Sequence, residues 1–334
     1  MTIEIAKNRT VAVLAAVILL VSIGQVHAQT TTLRYGQIPS TIKSVSALHF
    51  NIAQRKGLFV REGINIEMIS IDGGAANMMV ALDRGAVDIT RTASFFLIQA
   101  ALKGSEGVAI ASETATPIYS LIVKPEIKSF GDLKGKVVGL TNAVSTISVS
   151  MRKLLALNGL RNTDYRVIEF VGTPERSECL RKGECDAVPL GQPEDFILLK
   201  QGYRRLGISN DAVPNFQFIV SAVRRSWADA NKDALVRYVR GLAAAFRFMR
   251  EPANREEVVK IILDTTGSSE EIARQTLALY FEPERGVFPK QGELDLKGLG
   301  QVIQFMGETG DLKPPLPSAE RFVDLQYLRA AGLQ

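Results

Sequence analysis

The chain has 334 residues, with 40 Lys+Arg against 35 Asp+Glu, 46% hydrophobic residues, two histidines and two cysteines. That length supports about two domains and a sizeable core. The mixed-sign charge and ordinary apolar content exclude a disordered chain and a basic nucleic-acid footprint, and so few His and Cys exclude a His-rich metal centre or a disulfide-dense scaffold.

Residues 1–28 read as a secretory signal. Lys7 and Arg9 give a positive start, residues 11–23 form an uncharged apolar run, and Val26-His27-Ala28 places small residues where a signal peptidase reads. Cleavage is expected before Gln29, leaving 306 residues (334 minus 28) outside the cytoplasm, with His49 as the sole histidine. No Cys follows the apolar run, so no lipid anchor is expected there.

Residues 33–36 read as a strand, and 45–56 as a helix ended by Gly57. Residues 64–71 alternate at period two and read as a strand. A helix over 75–84 ends at Gly85, a short strand covers 87–90, and a helix over 95–103 ends at Gly104. Strands follow at 108–111 and 119–123. The pattern then restarts: strand 137–140, helix 145–157 stopped by Asn158-Gly159, strand 165–171, and helix 174–181 opened by Pro174. Strand 187–190, helix 194–200 and strands 205–208 and 216–223 complete it. Beyond 229 the chain is nearly all helical, over 229–250, 256–264, 269–280, 296–306 and 319–328. Strands separated by helices of about ten residues predict βαβ units and a mostly parallel sheet.

One connection is used twice. Leu82-Asp83-Arg84-Gly85-Ala86-Val87-Asp88-Ile89 parallels Leu180-Arg181-Lys182-Gly183-Glu184-Cys185-Asp186-Ala187. Leu packs the last helical turn, Gly ends the helix, and Asp opens the next strand, where its carboxylate is expected to satisfy turn amides. Ligands of open α/β sheets bind beyond the carboxyl ends of such strands.

Further short pieces stand in order: Tyr35-Gly36, Ala53-Gln54-Arg55-Lys56-Gly57-Leu58-Phe59, Glu62-Gly63-Ile64-Asn65-Ile66, Asp72-Gly73-Gly74-Ala75-Ala76, Asp132-Leu133-Lys134-Gly135-Lys136-Val137-Val138-Gly139 and Leu154-Leu155 before Gly159-Leu160. With the repeated connection they cover nearly the whole mature chain. In this the sequence resembles the periplasmic solute-binding proteins of ABC importers, in the nitrate/sulfonate/taurine-type branch that also includes binders of thiamine pyrimidine precursors. The resemblance implies an α/β, two-lobed periplasmic-binding-protein type II fold. Each lobe would be a mixed sheet flanked by helices, with two strands as the hinge. Residues 29–115 plus 222–334 would form one lobe and 116–221 the other, with the ligand between them.

Candidate ligand groups follow from the loops that open helices. Ser40 and Thr41 lie between the first strand and the first helix, and hydroxyls and free amides at a helix start suit an anion. Gly73, Gly74 and Ala75 open the next helix, where glycines let backbone approach a ligand. Thr92 and Ser94 follow the strand at 87–90, and Arg91 is either a bidentate partner for a carboxylate or sulfonate or a solvated strand residue. Asn142, Ser145 and Thr146 form the corresponding loop of the second half, with one hydroxyl as N-cap. Gln192 lies at the end of the strand at 187–190. His49 and Trp227 read as packing residues. Cys179 and Cys185 are expected as two buried thiols, with a disulfide as the alternative an oxidising compartment permits.

The expected function is therefore a non-enzymatic binder with no cofactor and no metal. It would capture a small, anionic organic solute for a membrane permease with a separate ATPase, since no G-x-x-x-x-G-K-[ST] motif is present in this chain. A monomer is expected, as in the family. The alternatives are a ligand sensor for a membrane receptor and a binder of a neutral pyrimidine-type precursor. The catalytic use of the fold in pyrimidine synthesis rests on a cysteine-rich iron site and histidines, for which this chain has no residues.

Overall fold

The structure, a computed structural model, describes residues 30–334 apart from Lys43, Val144, Val171, Asn215 and 282–286. The expected signal segment, 1–28, lies outside the described residues. Among the described residues no helix is long and apolar enough to cross a membrane.

The first half alternates strands and helices: β1 (Thr31–Gln37), α1 (Leu48–Arg55), α2 (Leu58–Arg61), β2 (Ile64–Ser70), α3 (Ala75–Asp83), β3 (Ile89–Ala93), α4 (Ser94–Leu102) and β4 (Gly107–Thr114). Then come β5 (Ser120–Val123), β6 (Val137–Leu140), α5 (Thr146–Leu157), β7 (Arg166–Glu169), α6 (Thr173–Arg181), β8 (Ala187–Leu190), α7 (Glu194–Lys200) and β9 (Arg204–Ile208). The chain returns as β10 (Ile219–Arg224) and continues as α8 (Arg225–Ala230), α9 (Lys232–Arg250), α10 (Arg255–Thr266), α11 (Glu270–Phe281), α12 (Leu296–Glu308) and α13 (Gln326–Ala330).

Two five-stranded sheets result, ordered β2-β1-β3-β10-β4 and β7-β6-β8-β5-β9. The orders correspond strand for strand. In each sheet the parallel strands are joined by one antiparallel strand, β10 or β5, that arrives from the other half. Four strands of each sheet run parallel and one runs against them, which agrees with the mostly parallel pattern and with the mixed sheets that the resemblance implies.

The repeated connection explains the correspondence. Gly85 and Gly183 take φ of 70° and 75°, a left-handed conformation that glycine adopts without steric cost. In both turns the next residue donates its N–H back across the helix end, Ala86 to Ala81 O and Glu184 to Cys179 O, each at 3.0 Å. Asp88 then accepts the Arg34 amide of β1 at 2.9 Å and pairs with the Arg34 guanidinium at 2.6 Å. Asp186 accepts the Val137 amide of β6 at 2.9 Å and pairs with Lys124 at 2.8 Å. The two carboxylates clamp neighbouring strand amides rather than their own turns. That use of Asp88 moves the start of β3 from the expected 87 to Ile89.

Other boundaries shift because of distant partners. The helix expected over 319–328 is a 3-10 turn, Ala319–Phe322, followed by α13. Between them Val323 bridges Ala109 and Asp324 N donates to Ala109 O, so that stretch is held against β4. The helix expected over 229–250 breaks at Asn231, whose side chain donates to Trp227 O at 2.8 Å. Trp227 itself packs against the core, as does the 19-residue α9, where Tyr238 stacks on Phe59 at 5.5 Å.

The expected pair of thiols is corrected. Cys179 and Cys185 form a disulfide with Cα atoms 5.3 Å apart. The turn through Gly183 folds Cys185 back so that its amide donates to Cys179 O, and both sulfurs pack with Ile122, Val137 and Val188. Intact-mass measurement under non-reducing conditions should find the mature protein lighter by two hydrogens than after reduction.

Burial acts to raise the Asp186 carboxyl, but the Lys124 ammonium and the Val137 amide outweigh it and hold the group below its ordinary value. A lowered folded-state value means stability that is present at neutral pH and lost as the acid form takes over. Asp186→Asn should cost about 1–3 kcal/mol at pH 7. In chemical denaturation that difference should shrink as pH falls below about 3.9, the ordinary Asp value.

Candidate functional site

The carboxyl ends of β1, β2, β3, β6 and β8 carry the loops singled out in the sequence. Thr41 lies in a helical turn, Pro39–Ile42, just after β1; of Ser40 in the same turn only the backbone is described. Gly73 and Gly74 lead into α3, which begins at Ala75, and the Asn77 side chain donates to Asp72 O across that turn at 2.8 Å. Ser145 caps α5 by accepting the Ser148 amide at 3.1 Å, and its hydroxyl also meets Thr141 Oγ1. Asn142 is exposed beside it.

Ser94 and Arg91 are engaged inside the protein. The Ser94 hydroxyl donates to Gln217 O in the segment returning from β9 to β10. The Arg91 Nε donates to Glu113 Oε2 at 3.1 Å, and its Nη2 to Ser46 O at 2.9 Å. Glu113 is 0% exposed and also accepts from Tyr35 at 2.8 Å and Ser221 at 2.6 Å, with His49 Nε2 at 3.1 Å. Burial would raise this carboxyl, yet His49, Arg91 and Ser221 together hold it below its ordinary value. His49 is therefore a buried partner of Glu113, stacked on Phe246 at 5.1 Å.

The remaining predicted groups are buried with polar atoms that have no partner in the protein. These are Thr92 Oγ1 in β3, Thr146 Oγ1 at the start of α5, and Gln192 Oε1 just beyond β8. The structure adds two that sequence reading missed: Gln37 Oε1 at the end of β1, and Arg176 Nη1 in α6. Native proteins rarely leave such atoms unpaired, and a ligand is one of the partners that can satisfy them.

The end of β3 and the start of α5 come together. Ala93, next to Thr92, and Ile147, next to Thr146, belong to one small apolar cluster with Tyr119 and Phe218. Residues of both sheets' halves thus meet at one place. The Tyr119 phenol is pushed up by burial, and both Arg176 and Arg91 pull in the other direction, so each guanidinium lies within electrostatic reach of this ring. A Cβ built on Gly191 would lie 3.4 Å from the Tyr119 ring and 3.8 Å from Thr173 Oγ1, the atom that accepts from Arg176 Nη2 at 3.0 Å.

Arg176 sets the electrostatics. It is 1% exposed. Its Nε donates to Pro189 O at 2.8 Å, and it makes no salt bridge among the described residues. Burial pushes its guanidinium down to about 10, with Tyr119, Glu175 and Glu194 acting weakly the other way. Burying a charge without an opposite charge costs several kcal/mol. Two neutral acceptors offset only part of that. The signal was readable: Arg176 stands three and four residues before Cys179 and Leu180, which places a cation on the core-facing stripe of α6.

Gln192 is positioned through Asp195. The Asp195 Oδ2 accepts from Gln192 Nε2 at 3.0 Å, Ser120 Oγ at 2.7 Å and Arg205 Nη2 at 2.9 Å. The unpaired groups are thus a buried guanidinium and two threonine hydroxyls, which can donate to an anion, and two amide oxygens, which only accept. Among the described residues no group of three or more His, Cys, Asp or Glu side chains is arranged to hold a metal ion.

Comparison with known proteins agrees on the fold. The chain is 23% identical over 259 residues to a nitrate/nitrite binding protein from Nostoc sp., an alignment that covers 71% of this chain and 58% of that protein. This chain therefore spans little more than half the length of that curated relative. A ligand-binding component of an ABC-type import system from Staphylococcus aureus, solved with zinc bound, superposes with a TM-score of 0.73 at 16% identity, covering 91% of this chain and 100% of that one. The periplasmic aliphatic sulphonate binding protein from Escherichia coli superposes with a TM-score of 0.68 at 18% identity, covering 88% of this chain and 97% of the other. The sequence matches the family described as NMT1/THI5 like over residues 46–254, more than half of its length; the chain belongs to that family and has the periplasmic-binding-protein fold.

Proposed function

We propose that this protein is the periplasmic substrate-binding component of an ABC importer. It captures a small anionic organic solute, a sulfonate, a carboxylate or a nitrate-like ion, and delivers it to an inner-membrane permease driven by a separate ATPase. The observation that carries this reading is Arg176, a buried guanidinium without an anionic partner in salt-bridge contact among the described residues. The ligand supplies the missing negative charge. That the relatives matched above include nitrate- and sulphonate-binding proteins supports the same chemical class.

The lobes of this reading are residues 29–115 with 222–334, and residues 116–221. The two connecting segments, between β4 and β5 and between β9 and β10, run side by side. Phe218 N donates to Ala115 O at 3.0 Å, and Ser209 N to Tyr119 O at 2.9 Å. Rotation about that pair opens and closes the cleft. Closure strengthens the Arg176–anion pair by removing water from it. The protein performs no bond chemistry on the solute. Cys179 and Cys185 are tied in a disulfide and His49 faces Glu113, so these groups serve structure.

Thermal unfolding of residues 29–334 against nitrate, sulfate, sulfonates, carboxylates and pyrimidines tests the proposal. A ligand at a hundredfold over its Kd adds about 2.7 kcal/mol, a shift of several degrees for this length. One anionic class should raise Tm, and Arg176→Met should lose that response while still unfolding cooperatively. A folded protein stripped of carried-over ligand and indifferent to every anion would contradict the reading, as would an undiminished response in Arg176→Met.

A further inference from the structure

Resting on the reading of an anion held at Arg176, we infer that the solute also carries a hydrogen-bond donor, a hydroxyl, amine or amide N–H, which Gln192 Oε1 receives. Gln192 is 2% exposed, and its Oε1 has no partner in the protein. The orientation of its amide is set by its surroundings. The Asp195 carboxylate already accepts from Ser120, Arg205 and the Phe196 amide, and paired with Arg205 it only accepts. A flipped Gln192 amide would set its oxygen against Asp195 Oδ2. The nitrogen therefore faces Asp195, and the oxygen is the atom left for a ligand.

That oxygen, like Gln37 Oε1, differs in kind from the donors of the site. Arg176 Nη1 donates a hydrogen bond, and the hydroxyls of Thr92 and Thr146 donate or accept one, so all three suit a bare oxyanion. Gln192 Oε1 only accepts. Nitrate, sulfate and unsubstituted sulfonates or carboxylates present acceptors alone at neutral pH and leave it unmatched. Gln192 and Arg176 belong to one neighbourhood, since Gly191 and Pro189 of the same segment lie against Thr173 and Arg176. A buried acceptor matched by a ligand donor, rather than left unmatched, favours that ligand by about tenfold to a hundredfold.

The test is titration calorimetry with matched pairs on residues 29–334. The pairs are 2-hydroxyethanesulfonate with ethanesulfonate, 2-aminoethanesulfonate with ethanesulfonate, and 2- and 3-hydroxypropanoate with propanoate. In at least one pair the donor-bearing member should bind about tenfold tighter or more. Gln192→Met, checked by cooperative unfolding, should erase that advantage. Equal or tighter binding of the unsubstituted member in every pair that binds overturns the donor inference and leaves the anion reading standing. An advantage that survives in Gln192→Met overturns the role of Gln192. Should no member of any pair bind, the donor inference falls, and the anion reading falls with it only if nitrate and sulfate also fail to bind. If the variant does not fold, the wild-type pairs decide alone.

Discussion

A charge taken out of water must meet an opposite charge or pay several kcal/mol. Two buried charges organise this protein, and it treats them differently. Glu113 is enclosed by Tyr35 of β1, His49 of α1, Arg91 of β3 and Ser221 of β10, so one carboxylate ties together four elements around its own strand. Arg176 is as deeply buried and receives only a backbone carbonyl and a threonine hydroxyl. The first charge is completed by the fold. The second is left without an opposite charge in contact among the described residues, which is why we assign it to the ligand.

The frame that holds Arg176 is built twice over. Corresponding strand orders, left-handed glycines and Asp-to-strand clamps recur in both halves. The second copy adds a disulfide one helical turn beyond Arg176 and the Pro189 contact in β8. Both act on α6, so the guanidinium is carried on a helix fixed at its carboxyl end and against its neighbouring strand. This is the preorganisation that lets a small ligand bind without first ordering the protein.

Much of this was legible in the sequence where local rules decide. The Leu-x-x-Gly-x-x-Asp connection announced two equivalent helix-to-strand joins, and the strand at 187–190 and helix at 194–200 stand where periodicity put them. Rules of local pattern failed where a distant partner rules. Val323 stretches to reach Ala109, and Asp88 leaves the strand to hold Arg34. A sequence separation of six between Cys179 and Cys185 does not by itself tell a bond from two thiols; the turn through Gly183 does. Among the candidate groups, Thr92, Thr146 and Gln192 keep buried unpaired polar atoms, but Arg91 is committed to Glu113 and Ser94 to Gln217 by residues far along the chain. Arg176 was overlooked because a lone Arg in a helix reads as solvated until its apolar neighbours three and four residues on are counted.

The most direct measurement is a crystal structure of residues 29–334 with the ligand that stabilises the protein most. The account predicts a negatively charged group within hydrogen-bond distance of Arg176 Nη1, enclosed by Thr92, Thr146 and Gln192. A ligand bound elsewhere, or one that presents no negative charge to Arg176, would contradict it.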